Sequence, residues 1–172
     1  MRTTDSMTIA PSQLQLRLIQ KTDNAIVAKI IRETMTQFGC VGEGYAYVDP
    51  EIDDIYTAFN EERTRFWVLE NEQGKVIGCG GIAPLKNGAA DTCELQKLYF
   101  LEEARGKGFG RKLTELCLQT AKELGYKKCY LETVERMTAA NAMYQKMGFE
   151  KLCGNMGDTG HCSCDSYYVK ML

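Results

Sequence analysis

Apolar and polar positions along the first third of the chain predict a strand followed by two helices. Residues 13–20, QLQLRLIQ, alternate in polarity as a half-buried strand does. A helix follows between Asp23, a capping residue, and Gly39, with apolar positions at helical spacing at Ile26, Val27, Ile30, Ile31 and Met35. Asp49-Pro50 indicates a second helix start, because Asp is a favoured cap and Pro is favoured at the first helical position.

The rest of the chain interleaves apolar strand patterns with two helices. Predicted strands lie at 65–70, 76–83, 93–100, 127–134, 148–153 and 164–172, the first two forming a hairpin around the polar turn NEQGK. An amphipathic helix starts near Phe109 and is stopped by Gly125, and a shorter helix covers 137–147. The order β-α-α-β-β-β-α-β-α-β-β favours an α/β sandwich with one mixed sheet over a doubly wound parallel sheet.

Length and composition narrow the class of protein. The 172 residues are 44% hydrophobic and 26% charged, which predicts one globular domain at 13–172 after a loose segment at 1–12. The formal net charge of −2 does not favour a nucleic-acid partner. No apolar run reaches the roughly 20 residues that a membrane span needs, and the N-terminus lacks the apolar core of a secretory signal. We therefore expect a cytoplasmic protein without a membrane or nucleic-acid partner.

Eight cysteines raise the question of disulfides or a metal site. Most lie inside apolar segments such as IGCGGI and LCLQTA, where a reduced cysteine packs as a small hydrophobic residue. His161, Cys162 and Cys164 lie close together, but a single CxC beside one histidine does not supply the four ligands of a structural zinc site. We therefore predict no bound metal, and a packed C-terminal hairpin in this segment.

The segment RGKGFG at 105–110 carries the strongest chemical signal. Its alternating glycines let backbone N–H groups approach a ligand closely, and the helix that follows adds unpaired N–H donors. Arg105, Lys107, Arg111 and Lys112 add positive charge, so the segment predicts a pyrophosphate site; the alternative is a solvated basic turn. The dinucleotide pattern GxGxxG fails at Arg111, and the P-loop fails because neither lysine precedes Ser or Thr.

These motifs resemble the GNAT superfamily of N-acetyltransferases, and more specifically an uncharacterised subgroup of small enzymes with a similar C-terminal tail. Arg105, Gly108 and Gly110 match the family's Arg/Gln-x-x-Gly-x-Gly/Ala loop, and Tyr144–Phe149, YQKMGF, resembles its LYEKxGF signature. The likeness extends over residues 98–152. It implies a mixed, mostly antiparallel central sheet flanked by helices, with central strands that splay apart at a bulge.

The resemblance also implies acetyl-CoA as the cosubstrate and assigns residues that hold it. The main chain of Leu98, Tyr99 and Phe100 would face the pantetheine arm. The phosphate loop would bind the pyrophosphate through Arg105, Gly106, Lys107, Gly108, Phe109, Gly110 and Arg111. Many members carry a cofactor-binding Asn where this chain has Met137; Asn141 shares a helix face with Tyr144 and is the expected substitute.

Catalysis in this family is a direct attack of an amine on the thioester, which requires a base and an acid. Tyr144 matches the family's acid, with packing on a helix face as the alternative. Glu94 and Glu132 fall where different members carry the catalytic glutamate, with a slight preference for Glu94; each is otherwise a solvated strand carboxylate.

The sequence predicts less about the part of the site that binds the acceptor amine. Segment 39–62 holds seven Asp and Glu residues and no Lys or Arg, which predicts attraction of a cationic amine or, equally, a solvated acidic helix. We expect a small-molecule amine acceptor. A peptide or protein acetyltransferase and a non-catalytic acyl-CoA-binding domain are the alternatives, and a homodimer remains open.

Overall fold

A computed structural model describes residues 14–172, so the segment predicted to be loose, 1–12, lies outside the described residues. Seven strands are present there, β1 to β7: Gln15–Leu18, Arg65–Glu70, Val76–Pro84, Thr92–Phe100, Lys128–Thr133, Glu150–Leu152 and Ser166–Met171. Four α-helices, α1 to α4, span Asn24–Gln37, Ile55–Ala58, Phe109–Glu123 and Thr138–Lys146. Within 14–172 there is no helix of the length and apolarity that crossing a membrane requires.

The described strands form one sheet in the order β1-β2-β3-β4-β5-β7-β6. Only β4 and β5 pair in parallel, whereas every other neighbouring pair is antiparallel. The mixed sheet predicted from the element order and the mostly antiparallel pairing implied by the family resemblance are therefore confirmed. The second predicted helix is mostly a 3-10 turn over Pro50–Asp54 that runs into the short α2. Asp49 does precede it, but its carboxylate makes no capping hydrogen bond.

The central strands β4 and β5 separate after three paired positions. Their ladder ends at Glu94 opposite Tyr130, although β4 continues to Phe100. On its other side, β4 carries a bulge: Cys79 pairs with Tyr99 and Gly81 with Gln96, so β4 has one extra residue. Lys97 lies at this bulge with φ at 56°, in the left-handed region. A bulge bends its strand, so the end of β4 diverges from β5, as the family resemblance implies.

Helices cover both faces of the sheet and complete two apolar cores. One core contains buried residues of α1 and the segment that follows it, including Val27, Ile30 and Ile52. The other joins α3 to the opposite face through Leu113 and Cys117. Five of the eight cysteines are buried in reduced form, at positions 40, 79, 93, 117 and 129, as the apolar context of most of them predicts.

Glycines of β3 let neighbouring groups pack directly on the strand beside the bulge. A Cβ atom at Gly78 would lie 2.2 Å from Phe100 Cδ1, and one at Gly80 would lie 2.8 Å from Leu98 Cδ1. At Gly81 the Cβ would lie 2.4 Å from the main-chain oxygen of Arg65, which cannot rotate away. The tight approach of β2, β3 and β4 therefore depends on these missing side chains.

We expect Gly81→Ala to lower the free energy of unfolding by about 1–3 kcal/mol, because the added methyl group forces the backbones of β2 and β3 apart. Gly154→Ala is the matched control, since a Cβ at Gly154 would have no atom within 4 Å. Urea unfolding of both variants measures the difference. Equal stabilities would contradict the packing described for β3.

Candidate functional site

A groove opens where β4 leaves β5, and most of the predicted cosubstrate residues line it. Its walls come from the end of β4, the phosphate loop, the start of α3, and one face of α4. Nine of the eleven predicted residues lie along it: Leu98, Tyr99, Phe100, Arg105, Gly106, Gly108, Phe109, Gly110 and Arg111. Lys107 and Asn141 do not line this groove.

The phosphate loop presents its backbone to the groove. Gly106 and Gly108 have φ values of 69° and 81°, and a Cβ at either position would have no atom within 4 Å. Gly108 is the N-cap of α3, which begins at Phe109. The first N–H groups of a helix lack intrahelical partners and carry the positive end of its dipole. This open, donor-rich backbone at the end of an apolar groove fits the pyrophosphate and pantetheine parts of coenzyme A.

Two of the cationic side chains in the loop, Arg105 and Lys107, form hydrogen bonds to other groups of the protein. Arg105 donates from Nε to the main-chain oxygen of Phe100 at 2.7 Å, and from Nη2 to Gln37 Oε1 at 2.8 Å. Lys107 Nζ donates to the main-chain oxygen of Glu103 at 2.7 Å. Arg105 therefore joins the end of β4 to α1 and shapes the groove, while Lys107 closes the turn before the loop.

Asn141, predicted as a cofactor ligand, does not line the groove and bonds to the protein instead. Its Nδ2 donates to the main-chain oxygens of Val134 and Met137, at 2.9 and 2.8 Å. Its Oδ1 accepts the hydroxyl of Tyr168 at 2.7 Å. These bonds use the amide group to join the turn before α4 to β7. Asn141 therefore lies beside Tyr144 on α4, but its side chain bonds to the protein, whereas Tyr144 lines the groove.

A second cavity, which we call the acceptor pocket, adjoins the groove. Glu94, Lys97, Glu132 and His161 supply its charged groups. Much of the remaining lining is apolar or aromatic, including Met35, Cys40, Tyr45, Val134 and Met137. Leu98, Tyr99, Met137, Ala140 and Tyr144 line both the pocket and the groove. The two cavities therefore meet at Tyr144.

Tyr144 is buried at this junction. Its ring packs against Phe149 at a centroid distance of 5.6 Å and against Tyr168 at 6.0 Å. Burial raises the pKa of its phenol above the ordinary value. The hydroxyl group therefore keeps its proton at neutral pH, as a proton donor requires.

Glu94 is a buried carboxyl with one side-chain hydrogen-bond partner among residues 14–172. It is 5% exposed, and Gln96 donates from Nε2 to its Oε2 at 2.7 Å. Burial raises the pKa of Glu94 to about 7, with a further increase from the negative charge of Glu132. A carboxyl with this pKa is both ionised and protonated in useful amounts near neutral pH, which suits a general base.

Glu132 is held as an anion. Tyr130 and Thr159 donate their hydroxyls to its two oxygens, each at 2.7 Å, and His161 Nδ1 lies 3.7 Å from Oε2. Burial alone would raise the pKa of Glu132, but the nearby positive charge of His161 and the hydrogen bonds from Thr159 and Tyr130 outweigh it and lower the pKa. The two candidate bases therefore differ: Glu94 titrates near neutrality, whereas Glu132 stays charged.

A chain of ion pairs that the sequence did not predict supports Glu132. His161 Nε2 lies 3.0 Å from Asp49 Oδ2, and Lys97 Nζ lies 2.7 Å from the same oxygen. Burial lowers the pKa of His161, but the bonds to Asp49 and Glu132 prevail and raise it to about 9. The single histidine in the C-terminal segment was the one sequence signal for this chain of ion pairs. Its pairing with Asp49 could not be predicted, because Asp49 lies 112 positions away.

The acidic segment 39–62 does not supply the carboxylates of the pocket. Asp53 pairs with Arg32 at 2.7 Å, and Asp54 accepts from Asn24 at 2.7 Å, both on the protein surface. Asp49 is directed inward to Lys97 and His161. The segment contributes Cys40, Tyr45 and Ala46 to the wall instead. The pocket's negative charge comes from the strands, through Glu94 and Glu132.

Comparison with known proteins places this geometry in a family. A family model described as the acetyltransferase (GNAT) family matches residues 27–149. The uncharacterized N-acetyltransferase YjgM of Escherichia coli (strain K12) is 41% identical over 165 residues, covering 95% of this chain and 96% of that protein.

Solved structures share the fold. An acetyltransferase from Streptococcus agalactiae 2603 has a TM-score of 0.78 at 20% identity and covers 94% of this chain and 99% of its own. The phosphinothricin acetyltransferase of Sinorhizobium meliloti, solved with acetyl-CoA, has a TM-score of 0.73 at 19% identity. The match covers 94% of this chain and 89% of that protein's chain. Because the family model spans most of the chain and a relative matches it almost end to end, the chain belongs to the GNAT family and is an acetyl-CoA-dependent N-acetyltransferase.

Proposed function

We propose that this enzyme transfers an acetyl group directly to the primary amine of a small molecule bound in the acceptor pocket. The supporting observation is that Tyr144 lines both cavities, while Glu94 lies in the acceptor pocket alone. An acid at the junction and a base on the acceptor side match the two proton transfers that direct attack requires.

In this proposal, Glu94 receives the proton of the attacking amine. Its pKa of about 7 leaves a large ionised fraction at neutral pH, and its buried position is close to the charged Glu132. Glu132 acts as a fixed negative charge that raises the pKa of Glu94. The slight preference for Glu94 as the base is therefore strengthened.

Tyr144 holds the proton that a thiolate leaving group needs. The groove would hold coenzyme A through the main chain of Leu98–Phe100 and the backbone amides of Gly106–Gly110. When bound, acetyl-CoA supplies the acetyl group as a thioester. The diverging end of β4 leaves main-chain groups without a β5 partner, which suits an extended pantetheine arm and polarisation of a carbonyl oxygen.

The charge balance of the pocket favours an acceptor with one ammonium group on a compact apolar body. Lys97 and His161 are compensated by Asp49, by Glu132 and by Glu51, which lies 3.5 Å from Lys97 but does not line the pocket. Glu94 is the carboxyl left without a cationic partner among the described residues of the pocket, and the walls around it are largely apolar or aromatic. A second ammonium group would therefore lose hydration without gaining a partner.

Tyr144→Phe should lower kcat by about 100-fold or more, because the acid is lost from the junction. Acetyl-CoA should still stabilise the variant, by about 2.7 kcal/mol at 100 times its dissociation constant. Steady-state kinetics and thermal unfolding measure the two effects. Tyr56→Phe is the matched control, since Tyr56 lines neither cavity. Unchanged kcat in Tyr144→Phe would remove the tyrosine from the mechanism.

The pH profile should identify the base. We expect kcat/KM to rise as pH increases through about 7, because Glu94 must lose its proton before it can accept one. Glu94→Gln should remove this limb and lower the rate by about 100-fold or more. Glu132→Gln should move the limb to lower pH, since a neighbouring negative charge no longer raises the pKa of Glu94. An unchanged limb in Glu94→Gln would assign the base elsewhere.

An acceptor panel tests the substrate class. With acetyl-CoA as donor, arylalkyl or alkyl monoamines should have kcat/KM values at least about tenfold above those of spermidine, since each uncompensated buried charge is costly. Peptides with a free N-terminus or lysine complete the panel. Turnover of peptides alone would support a protein acetyltransferase. Acetyl-CoA binding without turnover of any amine would support a non-catalytic domain.

A further inference from the structure

Glu94, Glu132 and His161 converge in the acceptor pocket in an arrangement that a metal ion can occupy. One donor atom from each residue lies within 4.8 Å of the others. The three come from β4, from β5, and from the loop at 153–165 between β6 and β7, so the sheet and this loop together build the group. Side chains from three separate segments are brought together here only by the tertiary fold.

The orientation of His161 distinguishes this group from an ordinary acidic cluster. Its Nε2 is held by both oxygens of Asp49, at 3.1 and 3.0 Å, and its Nδ1 is directed to Glu132 Oε2 at 3.7 Å. A metal-binding histidine commonly gives its second ring nitrogen to a carboxylate in this way, which fixes the ring and leaves the other nitrogen for the metal. Lys97, 2.7 Å from Asp49, fixes that carboxylate in turn.

Glu94 supplies a buried ligand with spare capacity. Gln96 occupies Oε2, and no hydrogen bond from residues 14–172 reaches Oε1. The carboxyl is 5% exposed, so water hydrates it poorly. Two carboxylates and one imidazole form an oxygen-and-nitrogen set suited to Zn²⁺, and three protein ligands leave a coordination position open.

We propose that Glu94, Glu132 and His161 bind Zn²⁺, and that the bound ion reversibly inhibits acetyl transfer by occupying the carboxyl that receives the amine's proton. Binding releases the Nδ1 proton of His161 to solvent, because a ligating imidazole nitrogen must be deprotonated, and otherwise requires only the three ligands. Inhibition rests on the proposed role of Glu94 as the base. The ion occupies the acceptor pocket and leaves the coenzyme A groove open. Inhibition should therefore be competitive with the amine and leave acetyl-CoA binding unchanged.

The test uses the reduced full-length protein, without acetyl-CoA, in a buffer that does not chelate metals and with a reductant that carries no thiol. Calorimetric titration with Zn²⁺ should show one equivalent bound. Glu94→Gln and His161→Gln should each weaken binding by at least about tenfold, and Asp49→Asn, which loosens the histidine, by about 10- to 100-fold. Thermal unfolding of each variant without metal shows whether the variant is folded. Glu132→Gln replaces any of these variants that is unfolded.

Cysteines are the competing zinc ligands, so they provide the control variants. Cys153→Ser and Cys162→Ser change exposed thiols outside the pocket, and Cys164→Ser changes one that lines it. All three should bind Zn²⁺ as the unmodified protein does. The Co²⁺ complex should lack the charge-transfer absorption of a cobalt–sulfur bond, since thiolates are absent from the ligand set.

Three results would overturn the proposal. The first is no binding of Zn²⁺ by the folded protein. The second is binding that survives Glu94→Gln but is lost in a cysteine variant, which would reveal a thiol site. The third is zinc bound at this site without competition against the amine, which would remove the inhibitory role. The first two results concern zinc binding alone. They leave the proposed function standing, because acetyl transfer is measured without metal.

Discussion

The early end of the β4–β5 ladder is the constraint on which the rest of this enzyme depends. Parallel pairing stops at Glu94, and the bulge at Lys97 turns the remainder of β4 away. A left-handed backbone at a non-glycine residue costs about 1–3 kcal/mol. The buried side chain of Lys97, which is 2% exposed, bonds to Asp49 and holds the bulge in place. The same local strain therefore opens the groove and anchors the ion pairs of the pocket.

Burial and pairing then give two similar carboxyls different roles. Glu94 and Glu132 both lie near the divergence, and both lose hydration there. Hydrogen bonds from Tyr130 and Thr159 and the charge of His161 replace the lost water at Glu132. Glu94 has only the hydrogen bond from Gln96 among residues 14–172, and the negative charge of Glu132 lies near it. One carboxyl consequently stays charged while the other titrates near neutral pH. The arrangement that makes Glu94 a suitable base also makes the pair, with His161, a candidate metal site.

Much of the fold and of the groove was predictable, because the signals are local. Apolar patterns identified the strands and the three longer helices, and the buried cysteines followed from their apolar neighbours; the second helix, predicted from Asp49-Pro50, is mostly a 3-10 turn. Gly106 and Gly108 indicated the phosphate loop, since a left-handed, open backbone needs glycine. Local reasoning did not predict the partners of Asn141, which are Val134, Met137 and Tyr168. It also interpreted Asp49 as a helix cap, although a distant lysine and histidine bind it.

The sequence by itself determined the order of elements, the glycine-rich turn before α3 and the family, because helices, strands and glycine turns are encoded by residues close together in the chain. Only the tertiary structure decided which charges meet. Asp49 and His161 are separated by 112 positions and Asp49 and Lys97 by 48, and no periodicity links them. The ionisation of Glu94 and Glu132 was also decided there, since a pKa depends on lost hydration and on neighbouring charges, and folding creates both.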